Sequence, residues 1–152
     1  MDKVRRTAAL YFIAQAIAVV AWWFGLVVWP DVRIYFQLEA GSQTSLMAFW
    51  MPDLAFIAFG SAAVAVLIVK RNRLETAALW FVTGAVSYAA IYTFSFALIT
   101  DRGWLGVVLM LPTMLWSGVF ATALTMKGDM FRQAKATSTN YVLLKTFTQI
   151  AI

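Results

Sequence analysis

The sequence predicts an all-α fold: a polytopic integral membrane four-helix bundle, closed by a C-terminal amphipathic helix or a partial fifth span. Three observations carry this. Of 152 residues, 62% are apolar and only 12% charged, against about 45–50% and about 25% in soluble domains. Four apolar stretches, Ala8 to Trp29, Ser45 to Val69, Thr76 to Thr100 and Trp104 to Met126, each exceed the roughly 20 residues a helix needs to cross about 30 Å of hydrocarbon. No stretch alternates polar with apolar residues over the roughly 9–11 positions of a barrel strand, and unpaired backbone cannot face lipid, so the spans are helical.

Orientation follows from the basic residues. Lys3, Arg5 and Arg6 precede the first span, Lys70, Arg71 and Arg73 lie between the second and third, and Lys127, Arg132, Lys135 and Lys145 follow the fourth. These are ten of the twelve Lys and Arg. Arg33 and Arg102 occupy the other two loops, each near an acid, Asp31 or Asp101. The positive-inside rule therefore places both termini in the cytoplasm. The first apolar stretch exceeds the 7–15-residue core of a signal peptide, so it is expected to be a retained span.

After it, Trp29-Pro30-Asp31 stops the helix. The loop from Asp31 to Thr44, holding Tyr35, Phe36 and Leu38, is expected to be an ordinary connector with aromatic anchors rather than a short interfacial helix. Residues 1–126 form the bundle, and residues 127–152 a cytoplasmic-side tail. Within that tail, Tyr141 to Ile152 is apolar and about half a span long, which favours an amphipathic surface helix over the start of a fifth span.

The chain has no Cys and no His. Thiolate and imidazole chemistry, Cys/His zinc sites and Ser-His or Cys-His nucleophile pairs are thereby excluded. No metal, no cofactor and no catalytic residue is predicted, and an enzyme is not the expected class. A net charge of +5 arranged in short runs between spans points to membrane lipids as partner and not to nucleic acid.

The candidate site centres on Asp53, the acid well inside a span. A carboxylate there should face the bundle interior, a water-filled cavity or a partner, and the preceding Pro52 removes a helical hydrogen bond beside it. Alternatively, the span begins after Pro52 and Asp53 is a solvated cap. Counting equal depths along the other spans brings Tyr92 and Thr113 to the level of Asp53, with Trp22, Trp50, Tyr88 and Trp116 as apolar walls. That layer would be either an interhelical polar clasp or a ligand pocket. Of the neighbours Trp22 and Trp23, about 100° apart, one should face lipid and the other pack inward. Tyr11 and Gln15, one turn apart, form a second polar spot suited to an interhelical hydrogen bond. Trp29, Tyr35 and Trp104 read as an interfacial belt.

Small residues at four-residue spacing, Ala58 to Ala62, Ser61 to Ala65, Ala85 to Ala89, Ser117 to Ala121 and Gly118 to Thr122, permit close helix approach. Trp104, Pro112 and Trp116 together resemble the last span of translocator-like proteins, a resemblance over one helix that implies porphyrin or sterol binding. The proline- and tryptophan-rich first loop of that family has no counterpart. The tail Phe131 to Ile152 resembles the membrane region preceding the catalytic half of isoprenylcysteine methyltransferase-like proteins, which would make the chain the N-terminal membrane part of a larger enzyme. The cofactor-binding motif of that half is absent from these residues, and no residue role is carried over from either family.

The leading functional expectation is a non-catalytic subunit or assembly partner of a larger membrane complex, or a homo-oligomer. The alternatives are a carrier or binder of a lipid, sterol, quinone or porphyrin at the Asp53 layer, and the membrane part of such an enzyme.

Overall fold

The computed structural model describes the backbone of residues 1–37 and 43–150 and the side chains of residues 1–37 and 43–127. Four long helices form, α1 Lys3–Val28, α2 Thr44–Lys70, α3 Glu75–Thr100 and α4 Trp104–Ile150. All four, with α4 counted over Trp104–Lys127, are long and apolar enough to cross a membrane. Ile17, Phe59, Ile99 and Val108 are among the large apolar side chains left exposed, one on each helix, as expected of helices whose outer solvent is hydrocarbon. The described residues contain no strand.

Local chemistry sets the helix ends. Asp2 caps α1, its carboxylate accepting the Arg5 amide at 3.1 Å, and Pro30 follows the last turn. Residues Pro30–Phe36 then form a 3-10 helix, so this part of the loop is more regular than the connector expected from sequence. Proline at its first position fixes the entry, and Arg33 reaches back so that its Nε donates to the Leu26 carbonyl at the end of α1 at 2.6 Å. Positions 38–42, with Leu38 and Glu39, lie outside the described residues. Helix α2 ends on Arg71 in a left-handed conformation (φ 51°), with the Asn72 amide donating to the Leu67 carbonyl at 3.1 Å, a Schellman arrangement. At the turn into α4, Asp101 (φ 52°) and Gly103 (φ 74°) are left-handed.

Helix α4 runs on as backbone to Ile150. The expected choice between a surface helix and a fifth span concerns side chains from 128 onward, outside the described ones.

Packing pairs α1 chiefly with α2, and α3 with α4. The end of the bundle carrying the N-terminus and the 70–74 loop is basic, and beneath it Phe12, Val64, Ile68, Leu79, Val82, Ala121 and Leu124 share one apolar core. Ion pairs Arg5–Glu75 and Lys127–Asp2, the latter at 3.0 Å, tie the helices together there. A Cβ on Gly60 would meet Val82 Cγ2 at 2.8 Å, so glycine at that point lets α2 approach α3. Towards the opposite end a smaller cluster joins Trp23, Leu26, Phe36 and Leu46.

Candidate ligand site around Asp53

Helix α2 begins at Thr44, nine residues before Asp53, so Asp53 is not the cap of a span starting after Pro52. The chain continues through Pro52 and immediately widens into a π-helical segment, Asp53–Ala58. Pro52 has no N–H to give the turn before it; Asp53 N still makes an ordinary four-residue bond to the Phe49 carbonyl at 2.9 Å, and the ladder then widens to five-residue spacing, as in Phe59 N donating to the Leu54 carbonyl. The widened turn buries Asp53, Ile57 and Ala58 together.

Asp53 is 5% exposed. Its hydrogen-bond donor is Trp23, whose indole Nε1–H meets Oδ2 at 3.1 Å. The clasp expected among Asp53, Tyr92 and Thr113 does not form. The Thr113 hydroxyl turns back to the Leu109 carbonyl of its own helix at 2.9 Å, and the Tyr92 ring packs among Phe49, Tyr88 and Phe96. Equal depth along a span gives height in the bundle but leaves the direction of each side chain undetermined, and direction decides who bonds to whom.

The second polar spot is larger than the pair Tyr11 and Gln15. Tyr11 donates its hydroxyl to the Thr113 carbonyl at 2.8 Å and lies 3.0 Å from Ser117 Oγ. Ser117 also contacts Gln15 Oε1 at 3.1 Å, and its carbonyl accepts from Thr83 Oγ1 at 3.4 Å. Three helices meet in this network. Ser117 was visible in the sequence only as one of a pair of small residues.

Between the two polar spots lies a cavity of about 570 Å3, walled by α1 and α4 and floored by Asp53, Ile57 and Val86. Tyr11, Gln15, Trp22 and Thr113 contribute to its wall. On one side of it, polar contacts close α1 onto α4; Ala18 and Gly106, both small, line the cavity and leave its space unfilled. A second cavity, of about 990 Å3, lies on the other side of Asp53 between α2 and α3, where Tyr88 and Tyr92 line it. Asp53 and Ile57 border both.

Of the site residues expected from sequence, Trp22 and Thr113 thus share the first cavity with Asp53, and Tyr88 and Tyr92 the second. Trp50 and Trp116 line neither; both rings are exposed on outer faces, Trp116 against Phe120. Trp23 is the inward member of the tryptophan pair, while half-buried Trp22 stands edge-on to Phe36 at 4.1 Å. Trp23 belongs to the site through its bond to Asp53, although depth along the spans does not group it there. The signal for it is the buried stripe Ala8, Phe12, Gln15, Trp23 and Leu26 on α1, whose spacing by threes, fours and their sums marks one helix face.

Among the described residues no group of three His, Cys, Asp or Glu side chains converges on a metal site. No family model, curated protein or solved structure matches the chain, and its function is read from this geometry.

Proposed function

We propose that the chain is an integral membrane protein, with both termini and the 70–74 loop cytoplasmic, that binds a small apolar ligand of lipid, sterol or quinone type in the cavity between α1 and α4. The observation that carries this is the cavity itself: its volume lies within the roughly 300–1,000 Å3 of small-molecule sites, and its wall is apolar with a few buried polar groups. The small-residue faces that favoured a subunit role are largely used inside this bundle. Ala58, Ser61, Ala65, Ala89, Ser117 and Ala121 are all buried against the chain's own helices.

Titrating the purified protein with a short-chain quinone, which quenches indole fluorescence, should give saturable quenching. Ala18→Phe, which fills the cavity from an accessible position, should abolish the saturable part. Unchanged saturation in Ala18→Phe would move the ligand elsewhere and overturn the assignment. Orientation is tested separately, since the chain has no Cys. Single cysteines at Asn72 and Arg102 should label oppositely with an impermeant thiol reagent on intact cells, Arg102 being the accessible one.

A further inference from the structure

We propose that the preferred occupant of this cavity is an elongated lipophilic amine carrying a hydroxyl group, the ammonium seated on Asp53 and the hydroxyl on Gln15. This deepens the ligand-binding reading above and rests on it.

Two polar groups in the cavity wall are buried and incompletely paired. Gln15 is 5% exposed; its Oε1 is used by Ser117, and its Nε2 has no partner among the described residues. Turning the amide over gives Nε2 to Ser117 and leaves Oε1 unpaired in its place. A hydroxyl group satisfies either arrangement, because it both donates and accepts. Asp53 takes one hydrogen bond, from Trp23 on Oδ2, and Oδ1 receives none among the described residues.

Among the described residues no Lys or Arg lines the cavity. The described ion pairs, Arg5–Glu75 and Lys127–Asp2, both lie at the basic end. A carboxylate at this depth is stabilised by a cationic partner, and an amine seated in the cavity supplies one. The Trp22 ring in the same wall, next in sequence to Trp23, also favours a cation over a neutral group at the Asp53 end. A purely apolar ligand would leave the free amide atom of Gln15 and Asp53 Oδ1 without a partner.

The spacing sets the shape. Gln15 and Trp23, the residue that holds Asp53, are eight positions apart on α1, about 12 Å of helix rise. A ligand reaching both groups is therefore extended, with its polar ends separated by an apolar body.

The test uses the full chain in lipid nanodiscs and two probes: an ω-amino fatty alcohol of about ten carbons, matched to that rise, and its isostere with a methyl in place of the amine. The amino alcohol should bind at least about tenfold more tightly, a difference of about 1.4 kcal/mol. Asp53→Asn should erase this advantage while preserving the affinity for the isostere, and Gln15→Leu should weaken both probes severalfold. Equal binding of the two probes by the unaltered protein, or an advantage that survives Asp53→Asn, would overturn the amine assignment and leave the cavity as a site for neutral ligands. Failure of both probes and of the quinone to bind would overturn the ligand-binding reading itself.

Discussion

The two halves of the bundle solve different problems. Towards the basic end, Phe12, Val64, Ile68, Val82 and Ala121 are almost wholly buried, Gly60 lets α2 and α3 meet closely, and ion pairs join α1 to α3 and α4. Towards the other end, α1 and α4 separate around a cavity, α2 widens into a π turn, and a buried acid borders open space on two sides. In lipid no hydrophobic force drives helices together, so association depends on close packing and interhelical hydrogen bonds. One half supplies these, and the other is free to hold a ligand. Mutations in the two halves should accordingly separate stability from binding.

The largest stability effect is expected in the closed half. Phe12 is fully buried, and Phe12→Ala should cost on the order of 2–3 kcal/mol, below the about 3–5 of soluble cores because the unfolded reference is also apolar. Thermal unfolding in detergent reads this. Ala18→Phe, by contrast, should leave the unfolding temperature nearly unchanged while blocking the cavity. Equal destabilisation by the two would erase the distinction between the halves.

Next comes Gly60→Ala. Its new methyl would lie 2.8 Å from Val82 Cγ2, and Val82 is itself buried, so α2 and α3 must part; overpacking of this kind costs about 1–3 kcal/mol. The same substitution at Gly84, where nothing lies within 4 Å of the added Cβ, should be neutral or slightly stabilising. Matching losses at both positions would show that close approach of α2 and α3 is not what holds this half.

A smaller effect is expected at the boundary. Trp23→Phe keeps most of a buried ring but removes the donor to Asp53, a loss of about 0.6–1.7 kcal/mol for an interhelical hydrogen bond. It should also change ligand affinity, because the carboxylate loses the contact that orients it. A loss of stability with affinity untouched would make the Trp23–Asp53 bond part of the packing alone.

The halves were unequally legible in the sequence. Spans and loops follow from apolar length and the placement of Lys and Arg, and Tyr11 with Gln15 was recognisable because two polar residues one turn apart share a face. Depth along the span puts Asp53 inside, but depth cannot supply rotation about the helix axis, so it groups Tyr92 and Thr113 with Asp53 and does not find Trp23. Pro52 left two readings open because proline suits both a first helical turn and a kink. Thr44–Ala48 already being helical decides it, and the π turn that accommodates the proline has no sequence signature of its own.

The smallest effect concerns acid at the closed end. The Asp2 carboxyl is held below its ordinary value of 3.8, first by the Arg5 amide it accepts and next by Lys127. A carboxyl depressed in the folded state binds a proton less readily than in the unfolded chain. Its contribution is therefore complete above the unfolded value and is lost as pH falls through the folded one. Lowering the pH from neutrality to about 5 should leave this contact intact, with weakening confined to more acidic solution. Asp2→Asn preserves an acceptor for the Arg5 amide but removes the charge facing Lys127, so its unfolding temperature should fall less steeply with acid than that of the unaltered protein. Asp2 is partly exposed, and solvent screening keeps the difference small. Parallel curves for the two proteins would mean that the Asp2–Lys127 pair does not fasten α1 to α4, leaving that task to Tyr11, Gln15 and Ser117.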